Sequence, residues 1–237
     1  MSDKPAIRPA STVVLLRDGP EGLETLLLKR NKALAFAGGF WVFPGGSLDP
    51  EDMAAGDGDE EAAARFAAAR EAMEECGQQP RPQDMVLLSH WTTPEAEVRR
   101  FSTWIYAAPL HREEQVVIDG GEIHDSRWLS VLDALAEHRA GELSILPPTW
   151  MTLVVLSQYG SVDEAITAER ETPVPQVLPV LAGFDGELVA LYRGDAGYDA
   201  ADPSVPGARH RAMLREGTWS YRYQGVDPEF LPLIPLD

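Results

Sequence analysis

A chain of 237 residues is long enough to bury a core of its own, as one large domain or as a domain with an appendage. Its 38 acidic residues against 20 basic ones give a formal net charge of −18, which argues against binding a nucleic-acid backbone or an anionic membrane surface. The single cysteine, Cys76, excludes an intramolecular disulfide framework and fits a reducing compartment. No apolar run approaches the roughly 20 residues of a membrane span, and the first residues lack a signal-peptide layout, so the expected location is the cytoplasm.

Residues 1–10 are polar and proline-containing and read as a loose lead-in. The β-branched and leucine-rich runs 11–17 and 24–30 flank Asp18-Gly19-Pro20-Glu21-Gly22, a turn sequence, and predict a hairpin closed by Lys29 and Arg30. A loop over 31–40 and a short strand over 40–43 lead to Gly45 and Gly46, where missing side chains let backbone approach a ligand. An acidic connection then enters a helix that Asp57 or Asp59 can cap and Gly77 can end. Strands follow at 85–91 and 99–107, the second placing Phe101, Thr103 and Ile105 on one face and Ser102, Trp104 and Tyr106 on the other. One of those faces is expected to line a pocket.

Asp119-Gly120-Gly121 is a turn before a strand at 122–129, and Ser130 caps a helix reaching Ala140 before Gly141, with Val131, Leu132, Leu135 and Ala136 directed inward. Two more helices are predicted over 149–159 and 161–171, the second opened by Ser161 with Glu164 completing a capping box. Beyond Thr172, the runs 177–182 and 187–192 flank Phe184-Asp185-Gly186 as a hairpin, and a second hairpin is expected near Gly217. The basic island Arg209, His210 and Arg211 is expected to pair with nearby carboxylates, a phosphate contact being the alternative. His111 and His124 are not spaced as a metal pair, and all five histidines read as structural or exposed.

The helix after the glycines holds the chemistry. At about 100° per residue, Ala62, Phe66, Ala69, Met73 and Cys76 form an apolar stripe, and Glu71, Glu74 and Glu75 gather on the opposite side. Like charges three and four residues apart repel, and glutamates late in a helix meet the negative end of its dipole. The arrangement costs stability unless something cationic neutralises it, a simply solvated acidic face being the alternative. Hard divalent ions take oxygen ligands and bridge carboxylates to phosphates, which gives the cluster a purpose beyond solvation.

Gly46 followed by Arg70-Glu71-Ala72-Met73-Glu74-Glu75-Cys76-Gly77 resembles the signature of the Nudix hydrolases, which cleave nucleoside diphosphates linked to another moiety. Ala72 is small for the signature's aliphatic position and Gln78 is polar where the pattern ends apolar; neither change removes a ligand. The spacing is also ten residues longer than the pattern: five residues separate Gly46 from Asp52, whereas the residue eight before Arg70 is Ala62. Asp52, Glu60 or Glu61 can fill the first acidic position, with Asp52 preferred. Leu34, Gly39 and Phe43-Pro44-Gly45-Gly46, extended by Asp49 and Asp52, resemble the flank of the coenzyme A diphosphatase branch, although Ala35 stands where that branch carries an arginine.

The resemblance implies an α/β/α sandwich with a mixed sheet over residues 1–145, followed at 146–237 by a helical and β-hairpin extension. It implies Mg²⁺ or Mn²⁺ held by Glu71, Glu74, Glu75 and the Gly46 carbonyl, with Arg70 orienting the carboxylates, and a base from Glu122 or Glu114. Arg30, Arg99 or Arg100 would meet phosphate, and Trp91, Phe101 or Trp104 would stack on a base. The implied substrate is a small nucleoside diphosphate derivative, coenzyme A or its acyl form first and ADP-ribose or NADH next, with AMP or phosphopantetheine as leaving group. A Nudix-like module that binds nucleotide without cleaving it is the rival reading. The extension is open to two roles, covering the pocket or making a homodimer contact.

Overall fold

The computed structural model describes residues 6–34, 37–112 and 115–236. Strands β1 (Ile7–Gly19), β2 (Gly22–Arg30), β3 (Trp41–Val42), β4 (Gly45–Ser47), β5 (Val86–Thr92), β6 (Arg100–Pro109), β7 (Ile123–Ser130) and β8 (Gln176–Val177) form one sheet. It runs β3-β2-β1-β6-β5-β8, with β4 added to β1 and β7 to β2. The β1–β6 and β5–β8 pairs are parallel and the others antiparallel, so the sheet is mixed.

β1 shows why the sheet is covered on both sides. Val13 and Leu15 face one apolar cluster, Val14 and Leu16 another, and all four are fully buried. A strand apolar on both faces needs a layer on each. Helix α2 (Glu60–Cys76) supplies the first layer, and α3 (Val131–Arg139), α4 (Pro147–Leu156) and α5 (Val162–Glu171) supply the second. This is the expected α/β/α sandwich. β1 starts at Ile7, so part of the expected lead-in is sheet, held between β4 and β6.

α2 begins and ends as its sequence predicts: Asp59 accepts the Ala62 N–H at 2.7 Å, and Gly77 closes it at φ 72°. Its packing face differs. Ala64, Ala68, Ala72 and Cys76 lie on the sheet, whereas Phe66 and Met73 are 39% and 47% exposed. Alanines let the helix axis come close to the strands, where the bulky side chains of the expected stripe would hold it away. The acidic connection folds into a short helix, α1 (Pro50–Ala55), with Pro50 at its first turn and Asp49 and Asp52 as a reciprocal capping box.

Ser130 caps α3 by accepting the Asp133 N–H at 3.0 Å. Its inward face is turned from the expected one: Leu132 and Ala136 are exposed, while Val131, Ala134 and His138 are buried. The rotation serves His138, whose Nδ1–H donates to the Leu143 carbonyl (2.9 Å) while Nε2 accepts the Trp219 N–H (3.0 Å). α4 starts at Pro147, earlier than predicted, because proline suits the first helical turn. In α5, Ser161 accepts the Glu164 N–H, but the Glu164 carboxylate reaches the Gly160 N–H, one residue short of a capping box.

The remaining strands β9 (Val180–Phe184), β10 (Glu187–Leu191), β11 (Arg209–Arg215) and β12 (Thr218–Gln224) form an antiparallel sheet in the order β12-β11-β10-β9. Both hairpins turn on two residues with positive φ, Asp185-Gly186 and Glu216-Gly217, the pattern that matches strand twist. Ala190, Tyr192, Ala212 and Trp219 enter the same apolar cluster as Val14 and Leu16. The basic island is internal: Arg211 is buried and makes two bonds to Asp195 (2.6 and 2.7 Å), and Arg209 donates to the Val205 and Ala208 carbonyls. Among the described residues no helix is long and apolar enough to cross a membrane.

Candidate active site

β4 lies along β1 with Gly46 opposite Ser11 and Gly45 opposite Thr12, which sets both glycines against the last turns of α2. A Cβ on Gly45 would strike the Ser11 carbonyl, and one on Gly46 would strike the Glu71 carboxylate. Glycine is required here by close approach. The Gly45 N–H donates to Glu75 Oε2 at 2.9 Å.

The three glutamates differ in surroundings. Glu75 is buried, and that burial raises its pKa to about 7; the Gly45 N–H and Arg30 oppose the rise, while Glu71 and Glu122 add to it. Burial also raises Glu71, against the pull of Arg70. Glu74 is largely exposed at the rim. Arg70 collects the acids: its guanidinium reaches Asp52 (2.9 Å), Glu71 (2.9 Å), Glu74 (3.1 Å) and the Ser47 carbonyl (3.0 Å). The Asp52 bond is the largest influence holding Arg70 protonated, ahead of the opposing effect of burial. Glu61 instead pairs with Arg65 (3.2 Å), so Arg70 receives its distant acid from α1.

Arg30 and Glu122 close the other side. Arg30 Nη2 donates to Glu122 at 3.0 Å, Nη1 lies 3.9 Å from Glu75, and the buried Nε has no hydrogen-bond partner among the described residues. Glu122 is placed by Asp119, whose carboxylate accepts the N–H groups of Gly121, Glu122 and Ile123 at 3.2, 2.9 and 2.9 Å. Burial works against ionising Asp119, yet these three N–H groups hold its pKa below the usual carboxylate value. The same loop is fastened to the end of α2, where the Val117 N–H donates to the Cys76 backbone carbonyl (3.1 Å) and the Asp119 N–H to the Glu75 backbone carbonyl (3.3 Å).

These groups open on a cavity of about 810 Å³. Gly46, Glu71, Glu74, Glu75, Arg30, Asp119 and Glu122 line its polar end. Phe40, Trp91, Phe101 and Ile105 supply apolar wall, and Leu146, Pro147, Pro148, Thr149, Pro179, Leu181 and Ala190 close it from residues beyond 145. On β6 the face bearing Phe101, Thr103 and Ile105 meets the cavity. Trp104 points the other way and stacks on His90 at 4.5 Å.

Arg100 is a correction to the sequence reading. It is 5% exposed, donates to the Thr93 carbonyl (3.2 Å) and does not line the cavity, because alternation along β6 puts it on the face opposite Phe101. Arg99 is exposed and also off the cavity. Glu114 and Ala35 lie outside the described residues. Asp119 is a site residue without a catalytic motif of its own, although an aspartate before two glycines favours such a turn. Ser11, whose buried hydroxyl has no partner among the described residues and which lines the same cavity, carries no sequence signal.

The donor set suits a hard divalent ion, since Glu71, Glu74, Glu75 and the Gly46 carbonyl offer only oxygen and stand at one end of one cavity. Among the described residues no three acidic, histidine or cysteine side chains are already gathered into an ion cage. Arg70 supplies the compensating charge to Glu71 and Glu74.

The family model for the NUDIX domain matches residues 7–147. The chain is similar to the acyl-coenzyme A diphosphatase NUDT19 of Xenopus laevis, 24% identical over 137 residues that make up 55% of this chain and 36% of that protein. The match thus spans about a third of the relative's length. A NUDIX hydrolase from Alicyclobacillus acidocaldarius has a TM-score of 0.64 at 23% identity, over 71% of this chain and 99% of that one, and so shares the fold. The NUDIX domain of Shewanella oneidensis NrtR, solved with ADP-ribose, has a TM-score of 0.43 at 20% identity, over 58% and 84% of the two chains. The matched stretch is more than half of the chain and contains Gly46 and the run from Arg70 to Gly77, and on this ground the chain belongs to the Nudix hydrolase family.

Proposed function

We propose that the chain hydrolyses the diphosphate linkage of a nucleoside diphosphate derivative, with Mg²⁺ or Mn²⁺ held by Glu71, Glu74, Glu75 and the Gly46 carbonyl. The observation that carries this reading is the convergence of those groups with Arg30 and Glu122 on one cavity walled by Trp91 and Phe101. When bound, the metal ions would neutralise phosphate charge and acidify a water. Arg70 fixes the directions of Glu71 and Glu74 through its bonds to them and to Asp52. Arg30, which lines the cavity beside Glu75 and Glu122, offers its guanidinium to a phosphate oxygen, a charge-assisted bond. Glu122, held by Arg30 and by the Asp119 turn, is the group to take a proton from the attacking water. Trp91 and Phe101 present faces on which a base can stack.

Coenzyme A or an acyl derivative is the leading substrate, supported by the flank around Phe43-Pro44-Gly45-Gly46 and by the partial similarity to an acyl-coenzyme A diphosphatase. ADP-ribose and NADH follow. A panel assay with Mg²⁺ on coenzyme A, NADH, ADP-ribose and nucleotide sugars tests the reading. Binding without turnover on every diphosphate would move the assignment to a nucleotide-binding module.

A further inference from the structure

Part of the lining of the diphosphate cavity comes from outside the stretch 7–147 that matches the family model: Pro148, Thr149, Pro179, Leu181 and Ala190. These residues belong to the first turn of α4 and to the β9–β10 hairpin with the residue before it. Both elements are apolar here for local reasons. A helix start ordinarily presents free N–H groups and a polar capping side chain. α4 begins Leu146-Pro147-Pro148, so its cap is a leucine without a side-chain bond, and the two prolines have no N–H to offer. On the hairpin, Leu181 stands directly opposite Ala190, which places the two on one face.

Pro147, Pro148 and Leu181 line the cavity and are each partly exposed, so a ligand can reach them. Among the described residues that the extension adds to the lining, none is charged, in a chain whose formal net charge is −18. The rest of the lining has the opposite character at Arg30, Glu71, Glu75 and Glu122, which suit phosphate and metal. A cavity ionic in one part and hydrocarbon in another sorts ligands by what is attached to the diphosphate. A sugar brought against Leu181 and the prolines would lose water from its hydroxyls and meet one polar side chain, that of the buried Thr149. An alkyl or acyl chain in the same place would remove its own surface and that of the wall from water.

We infer that the extension forms a subsite for an apolar chain carried by the diphosphate ester, with Leu181, Pro147 and Pro148 as specificity-determining residues; this rests on the reading of the acidic end as a diphosphate site. The extension then selects the substrate, and the matched domain supplies the groups for hydrolysis. The cavity volume of about 810 Å³ lies in the upper part of the range for small-molecule sites.

The test titrates the full chain, with Mg²⁺, by calorimetry against the octyl and methyl β-esters of α,β-methylene-ADP. The two probes share charge and nucleoside, differ only in the apolar chain, and cannot be cut between the phosphorus atoms. The octyl ester should bind at least roughly tenfold tighter, the gain from burying about two methylenes. Leu181→Asp should bring the octyl ester down to the affinity of the methyl ester without changing the latter, and the milder Leu181→Ala should remove part of the preference. Phe184→Asp, at the exposed tip of the same hairpin and off the cavity, should leave it intact. Equal affinities for the two esters, or a preference that survives both Leu181 variants, would overturn the subsite and leave the diphosphate reading standing. Binding of neither ester would overturn both. Turnover of the hydrolysable ADP esters is read separately, so an octyl preference without cleavage would keep the subsite and remove the hydrolase reading.

Discussion

Asp52 and Arg70 are eighteen residues apart in sequence and 2.9 Å apart in space. Asp52 is 4% exposed and its carboxylate also accepts the Asp49 N–H, so α1 delivers to Arg70 an acid that the lengthened spacing had put out of register. Asp52→Asn should destabilise the protein by about 1–3 kcal/mol and lower kcat, because Arg70 would no longer be held in place beneath Glu71 and Glu74. Glu60→Gln and Glu61→Gln should change neither. Thermal unfolding and turnover measured side by side decide this, and an equal loss in either helix variant would move the role there.

Glu74→Gln and Glu75→Gln should each cut turnover by roughly 10²-fold or more if they hold metal. Glu75 adds a signature in the metal-free protein. Its folded pKa of about 7 lies above the ordinary 4.5, so the folded state holds its proton more tightly and stability falls as pH rises from about 4.5 through 7. Glu75→Gln should flatten that slope and be the more stable protein at pH 8, by up to about 3 kcal/mol. Mn²⁺ affinity of the native protein should rise over the same window, since a ligand must be deprotonated. Denaturation and metal titrations at pH 5 and pH 8 check both signs.

Glu122→Gln should lower kcat more than it weakens Mn²⁺ binding, as expected for a proton acceptor. Asp119→Asn should lower kcat less, by loosening the turn that presents Glu122. If Glu122→Gln turns over at the native rate, another carboxylate is the base.

Substrate choice can be read from a single phosphate. If a cation recognises the 3′-phosphate of coenzyme A, its kcat/KM should exceed that of 3′-dephospho-coenzyme A, and Arg30→Gln should erase the difference. Arg30 is the arginine to test because it lines the cavity, whereas Arg99 and Arg100 do not. Equal rates on both compounds, or faster cleavage of ADP-ribose, would remove coenzyme A and leave diphosphate hydrolysis standing.

His138 predicts an acid-sensitive seam. Its Nε2 accepts from Trp219 and so must be unprotonated, and burial lowers its pKa from 6.5. The unfolded chain then binds the extra proton, and stability should fall as pH drops below about 6.5. Chemical denaturation between pH 7.5 and 5.5 should show less loss in His138→Gln than in the native chain, after correction for the variant's lower starting stability. Parallel losses would exclude His138 as the source.

The fold was legible where sequence patterns act locally. Asp59 and Gly77 bound α2 by their own backbone chemistry, and Asp185-Gly186 dictates its hairpin. Packing faces were less legible: a periodicity argument favours bulky Phe66 and Met73, but the distance between helix and sheet is set by tertiary contact and selects alanines. In the site, Gly46 and the three glutamates were legible because one helix and the short strand β4 carry them. Arg100 was not, since a shift of one residue along a strand moves a side chain to the other face, and no spacing in the sequence announces which face the cavity takes. The turn at Asp119 is readable from the two glycines after it, but its hold on Glu122 and the burial of Ser11 are seen only in the folded chain.

The sharing of one apolar cluster by β1, α3 and the strands β10 to β12 bears on how the chain can be cut and made. A fragment ending at residue 145 would retain every signature acid but would bare the surface that Ala190, Tyr192, Ala212 and Trp219 cover, and would leave His138 Nε2 without its Trp219 donor. During synthesis the catalytic half would therefore emerge first as an incomplete body, exposed to aggregation until the last hairpin is added. A ribosome-bound or truncated chain lacking residues 146–237 should be captured by chaperones or proteases, and the full chain should unfold in one cooperative transition.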